Sequence, residues 1–264
     1  MLKTLLCVDE NLASSIALRF TAYLNKFISL SLFVVHVEQP DEKEQVGSGW
    51  VQRVWEEGVG ANGRRAVARM LRTENIDCPL AGRPKIFVGN RTEEIMYELR
   101  SGSYDLYIEG YLNIADSEQF YQVISSPLYA QAPCSVLLVK NLSISKKCAL
   151  LCADSVDSKI LVEKSMEILG DSTFGFDIVY FKFKENEQLE ILAAEEGGGN
   201  LKQAQALLDG NGKTANNIIV LSGTPEQVGD YLKDYALVAS TLPARKSMHM
   251  STLANSLASV LLLR

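Results

Sequence analysis

Two aspartates each end a short apolar run, and this pattern has the clearest chemical meaning in the chain. The run Leu5–Val8 ends at Asp9, and the run Leu150–Ala153 ends at Asp154. When an apolar run forms a buried parallel strand, the residue after it lies at the carboxyl edge of the sheet, where open α/β sheets bind ligands. A carboxylate there can accept hydrogen bonds from a ligand or cap the next helix. We expect Asp9 to serve one of these two roles.

Other residues that commonly carry catalysis or metal binding are sparse. The chain has two histidines, His36 and His249, and five cysteines without a CxxC pair. Metal sites need several such side chains at close spacing, so we predict no metal site. His36 lies in an apolar strand end, which favours a packed, hydrogen-bonded histidine over a catalyst. With no Ser-His-Asp order, nucleophile elbow or Walker loop, the sequence favours a protein without catalytic apparatus.

The segment Gly58–Gly63 matches GxGxxG, the glycine pattern of dinucleotide-binding loops. In those proteins the pattern follows a strand and opens a helix. Here the preceding residues 50–57 have a charged, helical composition, so we interpret the match as coincidental. The glycines instead predict a break in the helix or a mobile loop.

The chain repeats itself at a long interval. Besides the two aspartate-ended runs, Ser135–Lys140 has the same pattern as Ser259–Arg264. Each copy therefore opens and closes with a similar apolar strand, and the interval is too long for a solenoid repeat. We predict two related domains, residues 1–142 and 143–264, each near the usual domain size.

Composition narrows the functional classes. Of the 264 residues, 47% are hydrophobic and 22% are charged, as in an ordinary soluble globular protein. The formal net charge of −6 provides no basic field for nucleic acid or anionic lipid. No segment reaches the ~18 apolar residues of a membrane span. Cysteines without a disulfide pattern fit a reducing compartment, so we expect a cytoplasmic location.

Short apolar runs alternate with helical patterns in both copies, which predicts two doubly wound, parallel, five-stranded sheets with helices on both faces. The first copy has predicted strands at Leu2–Val8, Leu30–Val37, Lys85–Val88, Tyr104–Ile108 and Ser135–Val139. The second has them at Lys147–Ala153, Asp177–Lys182, Asn217–Leu221, Tyr235–Ala239 and Ser259–Leu263. Helices are predicted between them, among others at Ser117–Ala130 and Ala244–Ala254.

Four features carry a family resemblance. They are the strand ending in Asp9 with Ser14 and Ser15 after it, the His-Val end of Val34–Val37, the turn from Val88–Gly89 into Thr92–Ile95, and Tyr104–Gly110 followed by Ala132–Val139. Together they resemble the universal stress protein family, and Ala-Pro-Cys before the closing strand is the most specific of them. The resemblance covers the whole first copy and is weaker in the second. Two copies in one chain are similar to the tandem subgroup.

The resemblance implies a nucleotide-binding superfold in which many members bind ATP at the carboxyl edge of the sheet. It assigns the nucleoside part of that pocket to Asp9, Val37, Gly89 and Gly110. The family's phosphate loop contains three glycines followed by Ser or Thr, because backbone N–H groups must close on the phosphates.

This chain departs from that loop. Gly110 keeps the first glycine, whereas Asn113 replaces the second, and Gln122 and Val123 stand near the third. The corresponding segment of the second copy, Ser240–Arg245, has no glycine. We therefore expect degenerate phosphate loops in both domains and no required cofactor, with ATP or AMP left open as a ligand of the first domain.

The resemblance then implies a non-catalytic, cytosolic stress-response protein that acts by ligand sensing or by binding a protein partner. The alternative is an ATP- or AMP-binding stress protein with its site in the first domain. Because subunits of the family often pair through their fifth strands, we predict that Ser135–Val139 and Ser259–Leu263 meet antiparallel and make the chain an intramolecular pseudo-dimer. A homodimer of the whole chain is left open, and we expect neither nucleic-acid nor membrane partners.

Overall fold

The computed structural model describes residues 1–39, 50–74, 78–112 and 116–264, with the backbone alone for residues 50–54. In the first half the strands are β1 (Leu2–Cys7), β2 (Leu30–Glu38), β3 (Lys85–Val88), β4 (Leu106–Gly110) and β5 (Ser135–Val139). The helices are α1 (Leu12–Leu24), α2 (Trp50–Glu74), α3 (Arg91–Gly102), α4 (Ser117–Ile124) and α5 (Pro127–Ala130).

The second half repeats this order with one additional strand. Its strands are β6 (Lys147–Cys152), β7 (Gly175–Phe183), β8 (Glu190–Leu192), β9 (Asn217–Gly223), β10 (Leu237–Thr241) and β11 (Ser259–Leu263). Its helices are α6 (Ser158–Leu169), α7 (Gly199–Gly210), α8 (Pro225–Tyr231) and α9 (Met248–Asn255).

One hydrogen-bonded sheet joins all the described strands, in the order β3-β2-β1-β4-β5-β11-β10-β6-β7-β9-β8. Within each half the strands are parallel and doubly wound, apart from β8. The halves meet where β5 pairs antiparallel with β11, with Leu137 opposite Leu261. The predicted pairing of the fifth strands is therefore confirmed.

The strand β8 goes beyond the five that the sequence predicts for the second half. It lies antiparallel on the outer edge of β9, where Ile191 is opposite Leu221. The strand has only three residues, and the short apolar run that begins at Ile191 lies between acidic residues, so the sequence pattern does not mark it. Very short edge strands of this kind protect a sheet from further pairing.

The core consists of two apolar layers, one on each face of the sheet, and both contain residues from both halves. Helices α1, α2, α6 and α7 contribute to one layer, whereas α3, α4, α5, α8 and α9 contribute to the other. Because burial does not separate the halves, the domain boundary after residue 142 stays a prediction. It falls in the connection between β5 and β6.

Three helical predictions differ from the structure in detail. Residues Gly58–Gly63 lie inside α2, so the predicted break does not occur. A Cβ added at Gly63 would lie 2.9 Å from side-chain atoms of the facing strands β2 and β3, so this glycine lets α2 approach the sheet. The predicted helix Ser117–Ala130 is divided before Pro127. Helix α9 begins later than predicted, because Ser247 caps it by accepting a hydrogen bond from Met250 N–H.

Two cations tie the halves together beside the β5–β11 pair. Lys140 follows β5 and donates from Nζ to three backbone carbonyls at the C-terminal end of α9, at 2.8, 3.0 and 2.9 Å. Arg264 follows β11 and donates to the backbone carbonyl of Tyr129 in α5 at 2.7 Å. Cations are favourable at helix C-termini, so the repeated strand ends each stabilise a helix of the opposite half.

Candidate functional site

Asp9 lies directly after β1, at the carboxyl edge of the first half. It does not cap α1, because the side chain of Asn11 accepts the hydrogen bond from Ser14 N–H. The Asp9 carboxylate instead lies between two basic side chains: Oδ1 is 3.3 Å from His36 Nδ1, and Oδ2 is 3.6 Å from Arg91 Nε. Asp9 is therefore part of an ionic network rather than a helix cap.

His36 is buried near the end of β2 between two carboxylates. Its Nδ1 lies 2.7 Å from the backbone carbonyl of Val8, and its Nε2 lies 3.2 Å from Glu38 Oε1. The contact with Glu38 is a charge pair that lacks hydrogen-bond alignment. Burial by itself lowers the pKa of His36, but contacts with Asp9, Val8 and Glu38 outweigh burial and raise the pKa to about 9. His36 is therefore packed, hydrogen-bonded and protonated at neutral pH, and it cannot serve as a general base there.

Arg91, the first residue of α3, connects the network to β4. Its guanidinium pairs with Glu109 in β4, and Nη2 also lies 3.2 Å from Cys7 Sγ. The second carboxylate oxygen of Glu109 accepts hydrogen bonds from the hydroxyls of Tyr107, at 2.7 Å, and Tyr129. Both oxygens of Glu109 are thus engaged within the protein, and its side chain is 15% exposed.

The network also fixes the protonation of its other members. Burial opposes ionisation of Asp9, but His36 and Arg91 outweigh it and lower the pKa of the Asp9 carboxyl. Burial raises the pKa of the Cys7 thiol far above its usual range despite the neighbouring Arg91. Cys7 therefore lacks the thiolate character that a nucleophile requires.

The four residues assigned to a nucleoside pocket lie at the carboxyl ends of the adjacent strands β3, β2, β1 and β4. Val37 is buried in the apolar layer that α3 covers. Gly89 has a φ of +156°, which favours glycine, and its N–H donates to the Glu38 carbonyl at 3.0 Å. Gly89 is thus required by the turn from β3 into α3, whatever its role toward a ligand.

Gly110 is explained by close packing. A Cβ added at this position would lie 2.1 Å from the backbone oxygen of Ala13 in α1. The end of β4 and the first turn of α1 therefore approach more closely than any other residue would allow.

The described residues of the loop after β4 offer little to an anion. Asn113 lies outside the described residues. The Asp116 carboxylate caps α4 and accepts hydrogen bonds from Glu118 N–H and Gln119 N–H at 2.9 and 3.1 Å. Free N–H groups at a helix N-terminus are the usual donors to phosphate, and here a carboxylate already occupies them. The acidic side chain of Glu118 adds a second negative charge to the same turn.

An open cleft of about 690 Å³ remains beside this loop. Gln122 and Val123, which stand near the third glycine position of the family, line it together with Arg91, Glu109 and Tyr111. The cleft is therefore walled by side chains where the family's loop has exposed backbone.

At the equivalent edge of the second half, the aspartate has hydroxyl and amide neighbours instead of basic ones. Asp154 accepts a hydrogen bond from the Tyr180 hydroxyl. Asn200 Nδ2 donates to three backbone carbonyls in the turn after β6, each at 3.1 Å. A Cβ added at Gly198 would lie 2.4 Å from the Tyr180 hydroxyl, so the segment before α7 lies directly on this edge.

Ser240, in the second half's counterpart of β4, contacts the second histidine. Its Oγ lies 2.7 Å from His249 Nε2 and donates to the Leu151 carbonyl at 3.2 Å. Ser240 and His249 thus share a hydrogen bond whose direction depends on the tautomer of the imidazole. Burial lowers the pKa of His249 to about 4, and Ser240 has no exposed surface. This pair is therefore structural.

In the described part of the chain, no cluster of three or more His, Cys, Asp or Glu side chains is arranged to hold a metal ion. None of the described helices is both long and apolar enough to cross a membrane.

Sequence reasoning located the carboxyl edge but missed three of the side chains that fill it, Arg91, Glu109 and Tyr129. A usable signal existed for two of them. Glu109 is an acid at the end of an apolar strand, as Asp9 is, and Arg91 opens the helix that follows the Gly89 turn. Side chains in those two positions converge at the edge of a doubly wound sheet.

Comparison with solved structures defines the class of the fold. The chain matches a universal stress protein from Archaeoglobus fulgidus DSM 4304 with a TM-score of 0.63 and 13% identity, covering 99% of this chain and 95% of the other. A functionally unknown protein from Pseudomonas aeruginosa PAO1 matches with a TM-score of 0.58 and 12% identity, covering 99% and 92%. A protein from Pseudomonas aeruginosa UCBPP-PA14, provisionally assigned to the universal stress proteins, matches with a TM-score of 0.58 and 13% identity. The match covers 99% of this chain and 92% of the other. No protein-family model and no curated protein matches the chain.

The fold therefore belongs to the doubly wound α/β class. Within that class, the chain has the tandem fold of the universal stress proteins, as the sequence resemblance implied. At 13% identity the likeness is one of fold, so function must be argued from the site.

Proposed function

We propose that the chain is a non-catalytic stress-response protein of the universal-stress type that acts by ligand sensing or partner binding and does not use ATP. The observation that carries this proposal is the ionic network of Asp9, His36, Arg91 and Glu109. It fills the carboxyl edge of the first half, where doubly wound sheets bind their ligands.

Electrostatics supports the exclusion of a triphosphate. Three acids of the network, Asp9, Glu38 and Glu109, face two bases whose charges are already paired within the protein. Asp116 and Glu118 add two further acids at the start of α4, of which Glu118 pairs with Lys246. Two like charges 4 Å apart near a protein surface repel by roughly 4 kcal/mol, so a phosphate close to one of these carboxylates is disfavoured.

The second half supports the same view for its own edge. Asp154 is exposed, but its carboxylate accepts a hydrogen bond from Tyr180, and the segment that carries Gly198 lies beside both. A nucleotide would have to displace this segment and the three hydrogen bonds of Asn200 before it reached the sheet.

A thermal-shift experiment with ATP, AMP and adenosine tests the proposal. A ligand at a hundredfold excess over its Kd stabilises the native state by about 2.7 kcal/mol, which a melting curve resolves. We expect no rise in Tm with any of the three. A rise with ATP that Asp9→Ala removes and that the matched variant Asp154→Ala retains would overturn it.

The alternative is an ATP- or AMP-binding protein with its site in the first half. One observation favours it: the side chain of Asp9 is 27% exposed, and its contact with Arg91 is long at 3.6 Å. Asp9 can therefore accept a hydrogen bond from a ribose hydroxyl. A response to adenosine and AMP of equal size would indicate that a nucleoside pocket survives without its phosphate loop.

A further inference from the structure

Helix α2 carries three arginines on a side that does not face the sheet. Arg65, Arg69 and Arg72 are four and three residues apart, so they project from one side of the helix. All three are exposed. They line a groove of about 570 Å³ together with Glu10, Asn62, Ala66 and Ala68. We call this surface the arginine groove.

The arginine groove keeps a positive charge that the described residues of the protein do not neutralise. Glu10 is the acid among its lining residues, and it pairs with Arg69. Arg65 donates to the amide oxygen of Asn62, and Arg72 has no hydrogen bond or ion pair with any described residue. Two guanidinium charges therefore remain free on a chain whose formal net charge is −6.

Neither free arginine is needed to hold α2 in place. The helix packs on the sheet through Val67, which is 2% exposed, and through Met70 and Leu71, which contact the same apolar layer. Its C-terminal end is fastened to α1 by Glu74, which accepts hydrogen bonds from Ser15 and Arg19. The free arginines thus stand on a helix that other contacts already fix, which is what a preorganised binding surface requires.

The chemistry of the groove selects its ligand. A guanidinium matches a carboxylate in shape and can hold it with two parallel hydrogen bonds. Residues 65 and 72 are about 10 Å apart along the helix axis, which three residues of an extended peptide span. The small side chains of Ala66 and Ala68 leave room for a peptide backbone between them.

We propose that the arginine groove binds an acidic peptide segment of a protein partner, with Arg65 and Arg72 as the carboxylate anchors. The inference rests on the proposed function, since it specifies the kind of partner that this protein binds. A nucleic acid fits less well, because its phosphates extend beyond two free cations onto an acidic surface.

Fluorescence anisotropy with a labelled peptide of alternating Glu and Ala, about twelve residues long, tests this proposal. We expect saturable binding that weakens when salt is raised from about 50 mM to about 500 mM. A peptide of alternating Lys and Ala, and single-stranded oligothymidine, serve as the opposite-charge and nucleic-acid probes. Absence of peptide binding, or tighter binding of the oligothymidine, would contradict the proposal.

Two triple variants with the same net charge identify the surface. R65Q/R69Q/R72Q removes the arginine groove, and K159Q/K202Q/K233Q removes three charges from exposed positions of the second half. We expect the first to weaken peptide binding at least about tenfold and the second to change it less than about twofold. Equal losses would show a general effect of charge and overturn the assignment. R72Q alone, which removes no contact of the fold, must also weaken binding several-fold.

The outcome separates this inference from the proposed function. If ATP raises the Tm of the same preparation but the peptide still binds through Arg65 and Arg72, the proposed exclusion of ATP fails and the arginine groove stands. If neither ATP nor the peptide binds, the arginine groove fails and the exclusion of ATP stands.

Discussion

The two carboxyl edges of this pseudo-dimer start from the same element and end with different chemistry. Each has an aspartate directly after its first strand, Asp9 in one half and Asp154 in the other. Asp9 meets the basic side chains of His36 and Arg91, whereas Asp154 meets the hydroxyl of Tyr180. The fold fixes where the aspartate lies, but the neighbouring side chains decide whether it pairs with basic groups or accepts a hydrogen bond from a hydroxyl.

The energetic consequences differ accordingly. A buried charge that loses its partner is strongly unfavourable, whereas a hydrogen bond to an exposed side chain such as Asp154 contributes only modestly to stability. The first edge therefore depends on every member of its network. The second edge relies on backbone carbonyls and on the close fit of its loop, so single substitutions there have milder effects.

The largest expected contrast comes from removing one acid at each edge. Glu109→Ala leaves Arg91 without its closest partner and two tyrosine hydroxyls without their acceptor, so we expect it to lower the free energy of unfolding by about 3–5 kcal/mol. Asp154→Ala removes the acceptor of Tyr180, and about 1 kcal/mol is expected. Urea denaturation of both variants measures the difference. Equal losses of unfolding free energy in the two variants would show that the ionic network stabilises the protein no more than the hydrogen bond of Asp154 does.

The two histidines give the next contrast, because they respond to pH in opposite directions. The pKa of His36 is raised to about 9, so its contribution is complete below the unfolded value near 6.5 and is lost as pH rises through 9. The pKa of His249 is lowered to about 4, so the unfolded chain binds the proton first and stability falls as pH drops from 6.5 toward 4. Each effect amounts to at most about 3 kcal/mol.

Urea denaturation across pH 5–10 tests this contrast as differences from the wild type. The loss caused by His36→Gln should shrink as pH rises above 6.5, and the loss caused by His249→Asn should shrink as pH falls below 6.5. Differences are needed because burial lowers the pKa of Lys140 to about 7, which by itself increases stability above that pH. A loss from His36→Gln that is the same at pH 6 and pH 10 would exclude the charged form of His36 from the network.

A smaller contrast concerns two glycines, Gly110 from the family's phosphate-loop pattern and Gly199 at the start of α7. Gly110→Ala places a methyl group against the Ala13 backbone, and we expect a loss of about 1–3 kcal/mol without any ligand present. Gly199 in α7 has open space around it, so Gly199→Ala should be neutral or stabilise by about 0.5 kcal/mol. Thermal melts of the two variants compare them. A neutral Gly110→Ala would mean that the glycine is kept for a ligand rather than for packing.

The sequence predicted most helices and strands well, because they follow from the spacing of apolar residues. Ser135–Val139 and Ser259–Leu263 were correct to the residue, since an isolated apolar run between polar residues can form little else. The short strand β8 and the late start of α9 were missed. Pairing with β9 determines the first and the Ser247 cap determines the second, and neither follows from the spacing of apolar residues. The ionic network was missed for a different reason. Its members come from β1, β2, α3 and β4, and only the folded sheet brings them together.

The fold itself explains the four predicted site residues to different degrees. Asp9, Val37, Gly89 and Gly110 all lie at the predicted edge, but their role toward a nucleoside stays a prediction. Gly89 and Gly110 have sufficient structural reasons of their own, a turn with positive φ and a close helix contact. Asp9 is the member whose partial exposure leaves a role in binding open.

Native mass spectrometry of the protein purified from cells, without added nucleotide, decides whether the first edge holds a nucleotide. Cells contain abundant ATP and AMP, so a competent pocket would carry one of them through a gentle purification. We predict the mass of the unliganded chain. An adduct with the mass of ATP or AMP that disappears in Asp9→Ala and persists in Asp154→Ala would contradict the account.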